Sequence, residues 1–262
     1  MLTAEQMEKS CRLWDKLADY PANKVDDALN HLMASMRDWL GARDVVWVGA
    51  ARMQRGAQAR KDLQHGWRGL VFRHLLASPE SYLRSAQAAR EQDSNPAMTT
   101  CALAATTGRL RVHRLRDGFV DFEAFKRTPH YRMIFVELGI SDRMFVGVPV
   151  NADAESFILF DHYRPGGRFS EEDAAWVAYT MRGLKWFHRE LMLSHGLLLA
   201  AAPLTPTERR IVQLLLTDRT EGEIAVQLRQ SPHTTHGHVK EILRKYGVRG
   251  RAGLMALWLR SG

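Results

Sequence analysis

The 262-residue sequence predicts an α+β domain, an antiparallel sheet flanked by helices, followed by an all-α unit of four short helices. Three observations predict this. Residues 45–48, 143–150 and 155–163 are runs of Val, Ile and aromatic residues bounded by turn formers, the pattern of strands. Amphipathic helical runs stand before and after them, as two packed layers require. From Leu204 onward, capping signals at Thr205, Thr220 and Ser231 punctuate short helical stretches with no strand pattern between them.

In order along the chain, residues 3–19 place Met7, Cys11, Trp14 and Leu17 on one helical face. A second helix follows Pro21, turns Val25, Leu29, Leu32, Met36 and Trp39-Leu40 inward, and ends at Gly41. Val45-Val46-Trp47-Val48 reads as a buried central strand. Residues 67–76 mix strand and helix signals, Ser78-Pro79-Glu80 opens a helix to Arg90, and Asn95-Pro96 opens another to Ala105. Residues 109–115 alternate and meet a hairpin-type turn at Asp117-Gly118. Residues 122–136 are helical with a break at Pro129.

The two later strands form a hairpin across Asn151-Ala152-Asp153, and Pro165-Gly166-Gly167 ends the sheet. Phe169-Ser170-Glu171-Glu172-Asp173 then caps one long helix reaching about Leu193. Its stripe of Trp176, Val177, Thr180, Leu184, Phe187 and Leu191 suits either its own sheet or a twin helix in a dimer. The expected organisation is a unit over 1–194, a linker over 195–203 and a terminal unit over 204–262.

The terminal unit carries the clearest signals. Thr205 caps a helix with Pro206 at its first position and Glu208 in the capping-box place; Ile211, Val212, Leu215 and Leu216 are its stripe. Thr220 and Glu223 cap a second helix, with Ile224, Ala225 and Leu228 inward. Ser231 and Pro232 start a third, packed through Thr235 or His238, Val239, Ile242 and Leu243, and Gly247 stops it. A fourth carries Leu254, Leu257 and Trp258. This unit has ten Lys/Arg against five Asp/Glu, so five of the eight net positive charges lie in its 59 residues. That concentration is what a polyanion-binding module needs.

Leu204-Thr205, Glu208, Glu223-Ile224-Ala225, Leu228, Ser231, Thr234, His238-Val239, Ile242, Lys245, Gly247-Val248 and Arg251 stand at the spacing of a helix-turn-helix. Residues 204–262 thereby resemble the DNA-binding domain of LuxR-type transcriptional regulators. The resemblance implies base-edge contacts from the positions held by His236, Gly237 and Lys240. Ser231, Thr234 and His238 are short or donor side chains suited to phosphates, with Arg244, Lys245 and Arg251 adding charge. His236 stands where the family commonly has Lys, and Gly237 brings no side chain to the groove, so the target sequence is less transferable from relatives. His233, His236 and His238 do not converge on a helix, and no metal site is expected.

The earlier half, mainly 130–200, looks like the GAF- or PAS-like or autoinducer-binding-like sensor halves of such regulators. A ligand pocket there is expected from Trp47, Trp67, Phe72, Tyr82 and Tyr131, with Asp142, Arg111 or His162 supplying polar contacts. Each aromatic residue taken singly is more often core than ligand wall. Cys11 and Cys101 have neither disulfide nor metal spacing. No nucleophile elbow or phosphate-binding glycine loop is seen, so neither enzyme activity nor a cofactor is expected. Neither a signal peptide nor an apolar run of spanning length is read, which predicts a cytoplasmic protein. The expected partners are double-stranded promoter DNA, a small molecule (a quorum-sensing-type signal among the candidates), a second copy of the chain, and RNA polymerase. The alternative is a ligand-independent regulator whose first domain binds a protein.

Overall fold

The computed structural model describes residues 1–76, 95–163, 165–198 and 202–259. Helix α1 spans Ala4–Ala18, held at its start by a capping box between Thr3 and Gln6. A single 3-10 turn, Ala22–Lys24, leads into α2, Val25–Leu40, which ends at Gly41 in the left-handed conformation that glycine adopts without strain. Strand β1 is Asp44–Arg52, α3 is Gly56–Lys61 and β2 is Trp67–His74. The mixed signals of 67–76 thus resolve as strand. The helix expected from Ser78 to Arg90 falls outside the described residues.

Helix α4, Thr99–Ala105, starts later than Asn95-Pro96 suggests, because Asn95 Oδ1 accepts from the Ala97 amide in a local turn. Strand β3 is Arg111–Arg114 and α5 is Phe122–Lys126. The Pro129 break is present: Pro129–Tyr131 forms one turn, continued by Arg132–Val136 in wider π form. Strands β4, Asp142–Asn151, and β5, Ala154–His162, form the expected hairpin.

These strands make one antiparallel sheet in the order β2-β1-β5-β4-β3. The turn at Asp117-Gly118 joins no two neighbouring strands, since β3 pairs with β4, well beyond it.

The expected long helix is two. Helix α6 is Glu171–Arg182, with a Ser170–Asp173 capping box, and α7 is Lys185–Ser194. The break falls at Gly183, where an added Cβ would lie 2.5 Å from the Trp14 ring. Trp176, Val177, Thr180, Leu184, Phe187 and Leu191 are all buried within this one chain. The stripe therefore packs on its own sheet.

Helices α1, α2, α6 and α7 cover one face of the sheet, around a core that includes Leu29, Leu32, Met36, Trp47, Ile158, Phe160 and Phe187. Each such side chain contributes about 1.5–3 kcal/mol by leaving water. The other face meets α4, α5 and the 129–136 turns, with Phe125, Ile134, Phe135 and Phe145 buried between.

The last four helices are α8, Pro206–Leu215; α9, Glu221–Leu228; α10, Pro232–Tyr246; and α11, Arg251–Leu259. Capping boxes at Thr205/Glu208 and Thr220/Glu223 start the first two, and Ser231 caps the third. Ile211, Val212, Ile224, Val239, Ile242, Leu254 and Trp258 form their core. Leu193, from the end of α7, is buried in that same cluster, and its carbonyl accepts from the Tyr246 hydroxyl at 2.5 Å. The two layers are therefore joined by packing as well as by chain. No helix among the described residues is long and apolar enough to cross a membrane.

Candidate functional site

Two regions bring chemistry together: a cavity under the sheet and one face of α10. Alternation along the strands builds the first. Val46, Val48 and Ala50 of β1 point to the face away from α1 and α2, as do their cross-strand partners Phe72 and Gly69 on β2. Leu159 and Phe157 of β5 and Phe145 of β4 extend this wall, and Leu103 and Ala104 of α4 close it opposite. The cavity measures about 130 Å³, room for on the order of ten water-sized groups.

Its ionic groups are matched in place. Arg143 donates to both oxygens of Asp161, at 2.5 and 2.7 Å. The Asp44 carboxylate lies 3.6 Å from His74 Nδ1 and accepts from the amides of Val45 and Leu76. Burial pushes the Asp44 carboxyl up, but the His74 ring and those two amides outweigh it and hold it below its ordinary range. Burial, with the Arg143 charge, pushes His130 down to about 3, so its ring is neutral at pH 7. Burial, with Asp161 and Asp44, pushes the Tyr163 phenol up to about 12. Trp67 Nε1, Thr100 Oγ1 and His130 Nδ1, on lining residues, are buried without a partner among the described residues. Orphans of this kind need a reason.

Of the residues expected around a ligand, Trp67 and Phe72 stand on this wall. Trp47 does not. It is one position out of phase with Val46 and Val48, so it faces the helix layer, where Nε1 donates to Ser156 Oγ at 2.8 Å. Tyr131 stacks on Phe135 at 5.2 Å and lies off the cavity. Asp142 sits on the helix side of β4 and accepts from the Phe169 amide at 3.0 Å; burial raises its carboxyl pKa. Arg111 is locked to Glu155, and His162 stacks on Phe169. Tyr82 lies outside the described residues. Thr100 and His130 escaped the sequence reading, which had no signal for which helix roofs the sheet.

The second region follows from the packing of α10. Thr235, Val239, Ile242 and Tyr246 are buried, so His233, His236, Gly237, Lys240 and Arg244 fall on the opposite, exposed face. Ser231 Oγ accepts from the Thr234 amide at 3.0 Å, and both residues are exposed at the helix start. There the unpaired amides and helix dipole favour an anion. His236 Nδ1 lies 2.9 Å from Glu221 at the start of α9. Nothing lies within 4 Å of where a Gly237 Cβ would be, and His238 is half-buried. Arg244 pairs with Glu241 at 2.6 Å on the surface.

Two expected phosphate-binding cations are otherwise engaged. Lys245 reaches Glu208 at 2.8 Å and the Pro203 carbonyl, tying α10 to α8. Arg251 donates to the carbonyls of Leu215, Thr217 and Arg219, satisfying the acceptors left open where α8 ends. Both are structural ties rather than free charges. Among the described residues, no group of three His, Cys, Asp or Glu side chains is placed to hold a metal ion.

Residues 202–257 match the family model described as GerE, bacterial regulatory proteins of the luxR family. Over 59 residues, 22% of this chain and 80% of the relative, the sequence is 39% identical to the spore germination protein GerE of Bacillus subtilis strain 168. The fold is similar to that of SdiA in complex with octanoyl-rac-glycerol, with a TM-score of 0.50 at 13% identity over 100% of this chain and 97% of that one. A second structure, Escherichia coli SdiA, gives a TM-score of 0.47 at 12% identity, covering 97% of each chain. The first of these likenesses extends the shared architecture to the sheet and its flanking helices.

Proposed function

The chain belongs to the luxR family of bacterial regulatory proteins, and from that premise we propose that it reads promoter DNA with α10 under the control of a small molecule held beneath the sheet. The observation that carries the reading is the exposed face of α10. His236, Gly237 and Lys240 stand there opposite a fully buried stripe, one turn into a capped helix. Lys240 has no intramolecular partner among the described residues and can donate to guanine O6 and N7. Ser231 and Thr234 at the helix start, with Arg244 further along, suit backbone phosphates.

Regions 1–194 and 204–262 act in this reading as sensor and reader, joined by 195–203; the family match beginning at residue 202 supports that division. The regulator works as a cytoplasmic homodimer. Met255 and Leu259, exposed one turn apart on α11, suit an apolar two-fold contact that would space two readers on paired half-sites.

The cavity suits a neutral, mainly apolar compound. Its ionic groups among the described residues are paired, Arg68 with Asp62 included, so an anion finds no free cation among the described lining residues, whereas Trp67 Nε1 calls for a hydrogen-bond acceptor. Octanoyl-rac-glycerol, present in the SdiA complex, has that chemistry: an apolar chain with ester and hydroxyl oxygens. Native mass spectrometry of the purified protein tests this part. A bound neutral compound supports it. An empty protein whose melting temperature no neutral amphiphile raises returns the first unit to binding a protein partner.

The reader is tested on a duplex selected from a random pool by the unaltered protein. Lys240→Ala should weaken binding by about 1–3 kcal/mol, roughly 5- to 150-fold, and relax selectivity at one base pair. Its melting temperature should not change. Lys245→Ala and Arg251→Ala should instead lower the melting temperature, since each strips a tie between helices. Unaltered affinity and selectivity in Lys240→Ala would remove α10 from the groove.

A further inference from the structure

Strands β1 and β2 have a second face, and what meets it joins the two units. Where Val46 and Val48 line the cavity, Trp47 between them packs against the His195 ring at 4.7 Å, just past the end of α7. A Cβ on Gly49 would strike Leu197 Cδ1, so Leu197 sits in a notch that only glycine leaves open. His195 Nδ1 donates to the Leu191 carbonyl at 2.9 Å. That leaves Nε2 as an acceptor, and Arg209 of α8 donates to it.

One carboxylate collects the cations around this point. Asp26 of α2 lies 3.6 Å from Arg73 of β2 and 3.9 Å from Arg209, with the neutral His195 ring beside it, Nε2 at 3.6 Å. It also accepts from Gln213 of α8 at 3.2 Å. The Leu204 amide donates to the His195 carbonyl, closing the connection. The elements that meet here are β1 and β2 of the cavity wall, α2, the end of α7, and α8, the first helix of the reader.

We propose that Asp26, His195 and Arg209 form a latch that fixes the orientation of the helix-turn-helix, and that β1 transmits the state of the cavity to it through Trp47 and Gly49. A strand is stiff along its length, so a shift of Val46 or Val48 moves Trp47 with it. The latch then holds or frees α8 without any ligand atom touching the reader. The sensing role rests on the cavity being a ligand site; the mechanical coupling does not.

Amide hydrogen exchange in the full chain tests the coupling. Asp26→Asn and Arg209→Gln each remove one charge at opposite sides of the junction. Both should speed exchange at Gly196, Leu197 and Leu204 by roughly tenfold or more, with the amides of β4 and β5 as the internal reference. Val48→Ala, which changes only the cavity side of β1, should speed the same three amides. Phe145→Ala, a cavity change on β4, should not. If Asp26→Asn and Arg209→Gln leave these amides as protected as before, the latch is wrong. If Val48→Ala and Phe145→Ala act alike, β1 is not the route. A protein that carries no compound yet shows the expected exchange pattern overturns the ligand reading and leaves the latch standing.

Discussion

Acid is expected to unfold this protein between about pH 5 and 4, because three buried histidines are held neutral in the folded state. Burial pushes His188 down to about 3. Burial and Arg143 push His130 to about 3, and burial with Arg209 takes His195 to about 4 against the opposing pull of Asp26. In the unfolded chain each titrates near pH 6.5. As pH falls below that value the unfolded chain binds protons that the folded one refuses, and stability drops until the native pKa values are reached. Each histidine adds a slope of about 1.4 kcal/mol per pH unit, so three give about 4 kcal/mol per unit between pH 6 and 4. Two units remove about 8 kcal/mol, which unfolds a domain whose stability lies in the lower half of the usual range of about 5–15 kcal/mol.

The three rings sit where loss of order matters to function. His130 lines the cavity, His188 Nδ1 accepts from Ser156, which in turn holds Trp47, and His195 faces Arg209 across the junction. Urea titrations at pH 7.5, 6.5, 5.5 and 4.5 would show the loss, and calorimetry in two buffers would show protons taken up on unfolding. Stability that stays level from pH 7 to 5 would mean that the rings are hydrated or already charged.

What the sequence reveals of this molecule divides by the range of the interaction. Caps at Thr205, Thr220 and Ser231 and the stop at Gly247 are local, each set by residues within a turn, and they are legible. Strand parity is nearly as local. A strand through Val45-Val46-Trp47-Val48 already places Trp47 opposite to Val46 and Val48, and that periodicity separates it from a pocket shared with Phe72.

Partners far along the chain are different. Nothing near Lys245 announces Glu208, and nothing near Arg251 announces the carbonyls ending α8. Both read as free surface charge until the helices are packed. The pairing of β1 with β5, over a hundred residues on, likewise has no local signal, so the roof of the cavity and its unpartnered His130 and Thr100 stay hidden. The break at Gly183 is intermediate: the glycine is visible, but the Trp14 ring that occupies its Cβ position comes from α1.

Replacing Arg111 should be strongly damaging to the first unit, and it also tests whether that residue is architecture or ligand contact. Its guanidinium donates to Glu155 at 2.7 and 3.2 Å, to the Leu103 carbonyl at 3.0 Å and to the Arg109 carbonyl at 3.1 Å. Glu155 is fully buried and takes a further bond from the Gly108 amide at 2.7 Å. Gly147 makes room for the group, since a Cβ there would lie 2.6 Å from Arg111 Nη1. Arg111→Met fills most of the volume and leaves the Glu155 carboxylate buried without its cation. Removing one partner of such a pair costs about 3–5 kcal/mol. The same loss frees Leu103, and with it α4, from the sheet, so a compound held in the cavity under the proposed reading should be lost as well.

The double variant Arg111→Met with Glu155→Leu decides the cause. With both charges gone no ion is stranded, and most of the lost stability should return. Ligand retention, measured by mass spectrometry, should return with it if Arg111 serves only to hold α4. Stability restored without ligand would instead make Arg111 a direct contact. A single variant less than about 1 kcal/mol below the parent would mean that water reaches Glu155, and that the pair is not what holds α4 to the sheet.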